Sequence, residues 1–269
     1  MVKKLFKHEI FAFVRTLTPL YIALLGVAFC GRFIQFFEND STPYKIISGT
    51  SILIYVVAIF ASMLLTSVYS VVRFYKHLYS GEGYLTFTLP ITVTQHITVK
   101  LFVALLFQFI TLLSVIVSVC VITAGELLIE IGKALGYLLD MLTMNMNYHL
   151  VIIIAEIIIA LVIMTIYEYM LIYSCISVGQ LSNKNRIIWA IGAYFAYYIA
   201  TQIIGTVVVI LVMVLEKTLA LEKIAQFIAR HPFASAHIII CGVILIFSAL
   251  SAVFFFVNKS IMTKKLNLE

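Results

Sequence analysis

Apolar positions in this chain come in long unbroken blocks rather than in an alternating pattern. Six blocks, at 18–37, 51–72, 101–124, 150–175, 187–215 and 237–257, are apolar on every side of a helical wheel. Each is long enough to cross a bilayer as a helix, which takes about 20 residues. The alternation of a membrane β-barrel is absent. Bare backbone amides cannot stay unpaired in lipid, and a helix pairs its own. The pattern therefore predicts an all-α integral membrane protein with six transmembrane helices.

Between and beside the blocks the pattern becomes amphipathic. In 1–17, Phe6, Ile10, Phe13 and Leu17 recur at four, three and four, with Lys3, Lys4, Lys7 and Arg15 mostly opposite. That predicts a helix lying on the inner membrane surface. No small-residue cleavage site follows a short apolar core, so a cleavable signal is not expected. In 125–149, Leu127, Ile131, Leu135, Leu138 and Leu142 form a stripe with Glu126, Glu130 and Asp140 largely off it. In 216–236, Leu221, Ile224 and Ile228 face away from Glu222, Lys223 and Arg230, and Pro232 ends the pattern before the last span. Both outer segments read as interfacial helices, serving either as a spacer at the headgroups or as an outer gate. The stretch 38–49 is short and turn-like, with Asn39, Asp40, Ser41, Thr42 and Pro43 in a row. The expected organisation is an interfacial helix at 1–17, a six-span domain at 18–257 and a tail at 258–269.

Composition narrows the class further. The chain has 269 residues, of which 63% are hydrophobic and 11% charged, and a mean hydropathy of +1.12. A soluble domain is nearer half apolar and a quarter charged. A soluble enzyme, a disordered chain and a disulfide-stapled secreted domain are excluded on that ground. The four cysteines, Cys30, Cys120, Cys175 and Cys241, all fall inside the apolar blocks without pairing spacing, and read as small buried hydrophobes.

The net charge of +6 reads as orientation. The N-terminus, 73–100, 179–186 and the tail hold 12 of the 18 basic residues against Glu9, Glu82 and Glu269. The opposite segments hold seven acids against six basic residues. The excess places both termini in the cytoplasm and favours contact with anionic lipid headgroups. No segment joins a basic run to surface aromatics, so nucleic-acid binding is not expected.

One inner loop, 73–100, is too polar to cross and too aromatic for a floppy linker. Gly81 and Gly83 allow a tight bend beside Glu82. Pro90 ends one segment, and Thr92 with Gln95 forms a capping box that opens the next helix. A short helix, a turn and a second helix start are expected at the inner face, where a partner could push on spans two and three.

No phosphate loop, dinucleotide fingerprint, zinc pair or nucleophile elbow occurs. His8, His77, His96, His149, His231 and His237 lack ligand spacing, so no metal site is expected. Nothing supports catalysis by this chain. Two acids sit within the fourth block, Glu156 and Glu168, about 120° apart on the helix. Carboxylates in lipid are costly and are functional candidates. Tyr167, Tyr169 and Tyr173 flank Glu168, and the fifth block adds Tyr194, Tyr197, Tyr198, Thr201 and Gln202. Glu168, Tyr194, Tyr197, Tyr198 and Gln202 read either as a polar, aromatic-lined translocation path or as a hydrogen-bonded packing site. Glu156 reads as packing. Gly192, Ala196 and Ala200 repeat every four residues and would let another helix approach closely.

With these residues in view, the chain resembles the permease subunits of type-2 ABC exporters, in particular short six-span bacterial ones. The likeness rests on the amphipathic start at 1–17 and on Gly-Glu-Gly-Tyr-Leu-Thr-Phe-Thr-Leu-Pro at 81–90, leading to Gln95 and Lys100. The turn Gly-Gln-Leu-Ser-Asn-Lys-Asn-Arg at 179–186 and the closing Lys-Lys-Leu-Asn-Leu-Glu at 264–269 complete it. The resemblance implies a permease dimer, with a second copy or a sister subunit, bound to two ABC ATPase subunits. The chain itself would hold no cofactor, since the partner ATPase binds ATP and Mg. It also implies a coupling helix in the loop after span two, at Tyr79, Glu82, Gly83, Tyr84 and Phe87, with Glu82 foremost. The N-terminal helix would make a second contact. Spans two and five would line the path, and a bacterial plasma membrane would hold the complex. Export of a hydrophobic or amphipathic cargo (peptide, lipid or drug) is the expected function. A non-transporting immunity or sensor subunit and an ion-coupled secondary transporter are the rivals.

Overall fold

The computed structural model describes residues 2–37, 41–80, 83, 90–143, 148–182, 185–215 and 219–264. Among them the regular structure is helical throughout. In chain order α1 is Val2–Phe36, α2 Thr42–Tyr79, α3 Val93–Ile122 and α4 Glu126–Thr143. Then follow α5 at Tyr148–Gly179, α6 at Arg186–Leu215, α7 at Leu219–Arg230 and α8 at Pro232–Lys264. Six of these, α1, α2, α3, α5, α6 and α8, are long and apolar enough to cross a membrane. They coincide with the six apolar blocks. Most of their large apolar side chains are exposed, which suits a chain whose solvent is partly lipid.

The helices outrun the blocks. The 38 residues of α2 span about 57 Å at 1.5 Å each, against a hydrocarbon core of about 30 Å. The loop expected over 73–100 is correspondingly shorter. Residues 73–79 continue α2, and 93–100 already belong to α3. The capping box is present at the start of α3. Gln95 N donates to Thr92 Oγ1 at 3.4 Å, and Thr92 N to Gln95 Oε1 at 3.1 Å.

The N-terminal boundary expected at Leu17 does not occur, because α1 runs unbroken through Pro19. The proline removes one ladder bond. Beside it the Thr18 hydroxyl donates to the Val14 carbonyl at 2.6 Å, the kind of compensation that lets spanning helices hold proline. The stripe read as membrane-facing packs against protein instead. Phe13 and Leu17 are buried with Val99, Val103 and Phe107 of α3, and Phe6 and Ile10 pack against the same cluster. An amphipathic stripe records an apolar neighbour without saying whether it is lipid or another helix.

The chain divides into two compact units, residues 1–78 with 82–140, and 79–81 with 141–269. In the first, α1 packs along α3. A second core cluster joins Leu24 and Ala28 of α1 to Tyr55 of α2 and to Val115 and Ile122 of α3. Hydroxyls link α3 to its neighbours. Thr111 meets Thr66 of α2 at 3.0 Å and Tyr21 of α1 at 2.9 Å, and Ser118 meets Tyr55 at 2.9 Å. Such bonds act as glue between helices in lipid. After α3 the chain turns sharply. The Gly125 N–H reaches the Cys120 carbonyl at 2.9 Å and Ala124 N–H that of Val121 at 3.3 Å. Ala124 (φ 53°) and Gly125 (φ 85°) both take left-handed backbone there, in a Schellman-type cap. The helix α4 occupies the segment predicted to be helical.

In the second unit α5 lies between α6 and α8, and α7 folds against α8. Proline at the first position of α8 costs no ladder bond. Where α5 gives way to α6 the backbones almost touch. A Cβ on Gly179 would lie 2.6 Å from the Arg186 carbonyl oxygen and 2.7 Å from Ala190 Cβ. Only glycine fits that turn.

Candidate functional site

The most developed polar site lies in the first unit, at the end where basic residues gather. It is built around Glu9. This residue follows Phe6 by three and precedes Phe13 by four, so α1 carries it on the same stripe that packs against protein. It is 1% exposed. The last turns of α2 bring Arg73 and His77, and the second turn of α3 brings Lys100. Arg73 Nε lies 2.5 Å from Glu9 Oε2, Lys100 Nζ 2.9 Å from Oε1, and His77 Nδ1 3.3 Å from Oε1. Arg73 also lies over the Phe13 ring, with Cζ 5.9 Å from its centroid.

Glu9 precedes the apolar block 18–37 and so lies outside the spanning stretch. Burial by itself pushes its carboxyl up. Lys100, Arg73 and His77 outweigh burial and hold it below the ordinary carboxylate value. A carboxylate held by Arg73 of one helix and Lys100 of another, with the His77 ring beside it, is a clamp. It ties α1 to the two helices that flank the inner loop.

The loop residues themselves divide. Glu82, Tyr84 and Phe87 lie outside the described residues, and Gly83 is buried. Tyr79 ends α2 and groups with the second unit. Its hydroxyl lies 2.6 Å from Ser177 Oγ of α5. Ser177 donates to Asn258 Oδ1 of α8 at 2.5 Å, and Asn258 Nδ2 donates to the Phe254 carbonyl at 3.0 Å. All three side chains are at most 1% exposed. Tyr79 is therefore a packed structural residue within its unit.

Of the residues expected along a path, Tyr197 finds a polar side-chain partner among the described residues. The hydroxyls of Tyr197 and Tyr167 are hydrogen-bonded, and both rings contact Phe254. Glu168, Tyr194, Tyr198 and Gln202 are exposed on the unit's surface. The structure does not gather the five into one site.

Glu156 does have a partner. His237 Nδ1 of α8 stands 2.9 Å from both of its carboxylate oxygens. His149 stacks on Phe233 at 5.4 Å and lies 5.7 Å from the His237 ring. Among the described residues no group of three or more His, Cys, Asp or Glu could hold a metal ion.

Sequence reasoning used Glu9 only to count charge. Its position inside an apolar stripe was the available signal. The basic trio was less visible, because Lys100 meets Glu9 from 91 positions away. No family model, curated protein or solved structure matches the chain.

Proposed function

We propose that this chain is the membrane permease subunit of an ATP-binding cassette exporter. The observation that best supports the reading is the Glu9 clamp. An inner loop can transmit a push only if the helices on either side of it move together. Glu9 joins α1 to the last turns of α2 and to the second turn of α3. The capped, rigid start of α3 suits the same purpose.

On this reading two ABC ATPase subunits bind ATP and Mg and press on the loop at Glu82, Gly83, Tyr84 and Phe87. Both termini face the cytoplasm of a bacterial cell. A second permease subunit packs against the open face of α6. There a Cβ added at Gly192 would meet nothing within 4 Å, and Tyr194, Tyr198 and Gln202 are exposed. Such a pairing would turn those residues and Glu168 into the lining of a shared path for hydrophobic or amphipathic cargo. The chain would do no chemistry itself.

The test is co-purification followed by reconstitution. The chain, expressed in its native host and extracted in mild detergent, should retain an ATPase subunit. Reconstituted complexes should move amphipathic cargo on ATP addition. Glu82→Arg should uncouple ATP hydrolysis from movement. Retention of no ATPase, or transport untouched by Glu82→Arg and by loop deletion, defeats the proposal.

The Glu156–His237 pair favours a second reading, an ion-coupled secondary transporter. Such a carrier would move cargo on a proton gradient without any ATPase, and Glu156→Gln would abolish that movement.

A further inference from the structure

The two sides of α1 differ. Glu9, Phe13 and Leu17 face protein and are buried. The other side is exposed, and one line along it runs through Lys4, Lys7, Phe11, Arg15, Ile22, Phe29 and Phe33. Spacings of three, four, four, seven, seven and four keep that line on one face of a helix. Lys3 and Val14 lie beside it and are exposed as well. Glu9 is the one acid in α1, and it meets Arg73 and Lys100 on the far side. Among the described residues Lys3, Lys4, Lys7 and Arg15 pair with no acid.

The exposed line changes character once. Lysines occupy its first turns, and from Phe11 to Phe33 it carries no charge except Arg15. Those 22 residues rise about 33 Å, close to a hydrocarbon thickness of about 30 Å. Lys7 lies about 6 Å before Phe11 along the helix, at headgroup depth, and Lys4 about 10 Å before it, at the water's edge. Lys7 Nζ stands 5.7 Å from the centre of the Phe11 ring, so the charge and the apolar track meet without a gap. Arg15 sits one turn inside. Helical side chains lean towards the N-terminus, and a long basic one reaches back to the headgroups. A cationic patch running straight into an apolar track of membrane thickness matches a lipid, charged at its head and apolar behind it. An acidic protein in water would match the patch and leave the track uncovered.

We propose that this face of α1 docks on the anionic headgroups of the leaflet at its N-terminal end. Lys3, Lys4, Lys7 and Arg15 make the contacts, and Phe11 marks the hydrocarbon boundary. Basic clusters beside a spanning helix hold anionic lipid surfaces in this way. Since Phe13 and Leu17 pack on α3, the contact sets the depth of both helices. The surface goes beyond the transport reading and rests only on the chain's being a membrane protein, so it stands whether or not an ATPase binds.

The test uses the full chain in a neutral maltoside detergent, with phosphatidylglycerol and phosphatidylcholine of identical acyl chains. Native mass spectrometry should show phosphatidylglycerol retained in preference. Lys3→Gln, Lys4→Gln and Lys7→Gln together should cut that preference about a hundredfold, at about fivefold per lysine. Lys223→Gln with Arg230→Gln, at two exposed cations of α7, should leave it unchanged. In nanodiscs, Phe11→Trp with Trp189→Phe holds the chain's one tryptophan, and brominated acyl chains should quench it. Lys4→Trp in the same background should be quenched by aqueous iodide instead. Equal retention of the two lipids, or a preference untouched by the triple variant, overturns the proposal. So does a tryptophan at position 11 that iodide quenches and brominated lipid does not. A triple variant that keeps its lipid preference but loses a co-purifying protein also overturns it, and gives the face to an acidic protein surface.

Discussion

Lys100 and Glu9 meet at 2.9 Å, both almost wholly buried, with Arg73 closing on the other carboxylate oxygen. Two cations thus share this anion. Removing the anion leaves both exposed to a low-dielectric surround, which typically costs about 3–5 kcal/mol. Glu9→Gln should therefore lower stability by about 3 kcal/mol, measured by denaturant unfolding in detergent. Adding Lys100→Gln should recover part of that loss. A double-variant loss equal to the sum of the Glu9→Gln and Lys100→Gln losses would show that the pair is not coupled.

The same carboxylate sets an acid limit. Its folded-state value is depressed below the ordinary 4.5. The stability it contributes is present above the unfolded value and is lost as pH falls through the folded one. Tm of the purified chain should drop as pH is taken below about 4.5. The drop should be shallower in Glu9→Gln, which has no proton to take up there.

Gly179 and Gly192 make a matched pair. Gly179→Ala drives a methyl into the Arg186 carbonyl and Ala190, and should cost about 2–3 kcal/mol or abolish folding. Gly192→Ala meets open space and should leave stability within about 0.5 kcal/mol. If a second copy packs on that face of α6, Gly192→Leu should lower self-association, read by crosslinking in native membranes, while the single chain stays folded.

Ala124 holds a left-handed backbone, φ 53°, where a side chain costs about 1–2 kcal/mol. Ala124→Gly should raise stability by about 1 kcal/mol, since glycine adopts that region freely. An unchanged Tm would mean that the turn is relaxed in the membrane.

The six helices long and apolar enough to span a membrane were legible because apolar blocks of that length leave little else to build. Where the blocks ended was not. The residues at 73–79 and 93–100 are polar enough to look like loop, yet the α-helical ladder continues through them because it needs no lipid. The stripe of Phe6, Ile10, Phe13 and Leu17 was visible, but its partner on α3 was not, since lipid and a helix face are equally apolar. Thr92 and Gln95 could be read directly, as a capping box is local. Glu9 with Lys100 could not be paired, because no short-range rule links positions 91 apart. Glu156 read as packing, and its partner His237 stands 81 positions away, again beyond any short-range rule.

Because α1 continues without a break from Val2 to Phe36, it can act as a stiff plank nailed at both ends. Glu9 fastens one end, and at the other Gly31 sits so close to Ile122 that an added methyl would lie 3.1 Å from its Cδ1. A plank held twice against the same neighbour cannot slide or swing on it alone. Spin labels on outward-facing positions of α1 and α3 should keep one fixed separation through any working cycle, so that motion in this half of the chain is motion of the whole slab.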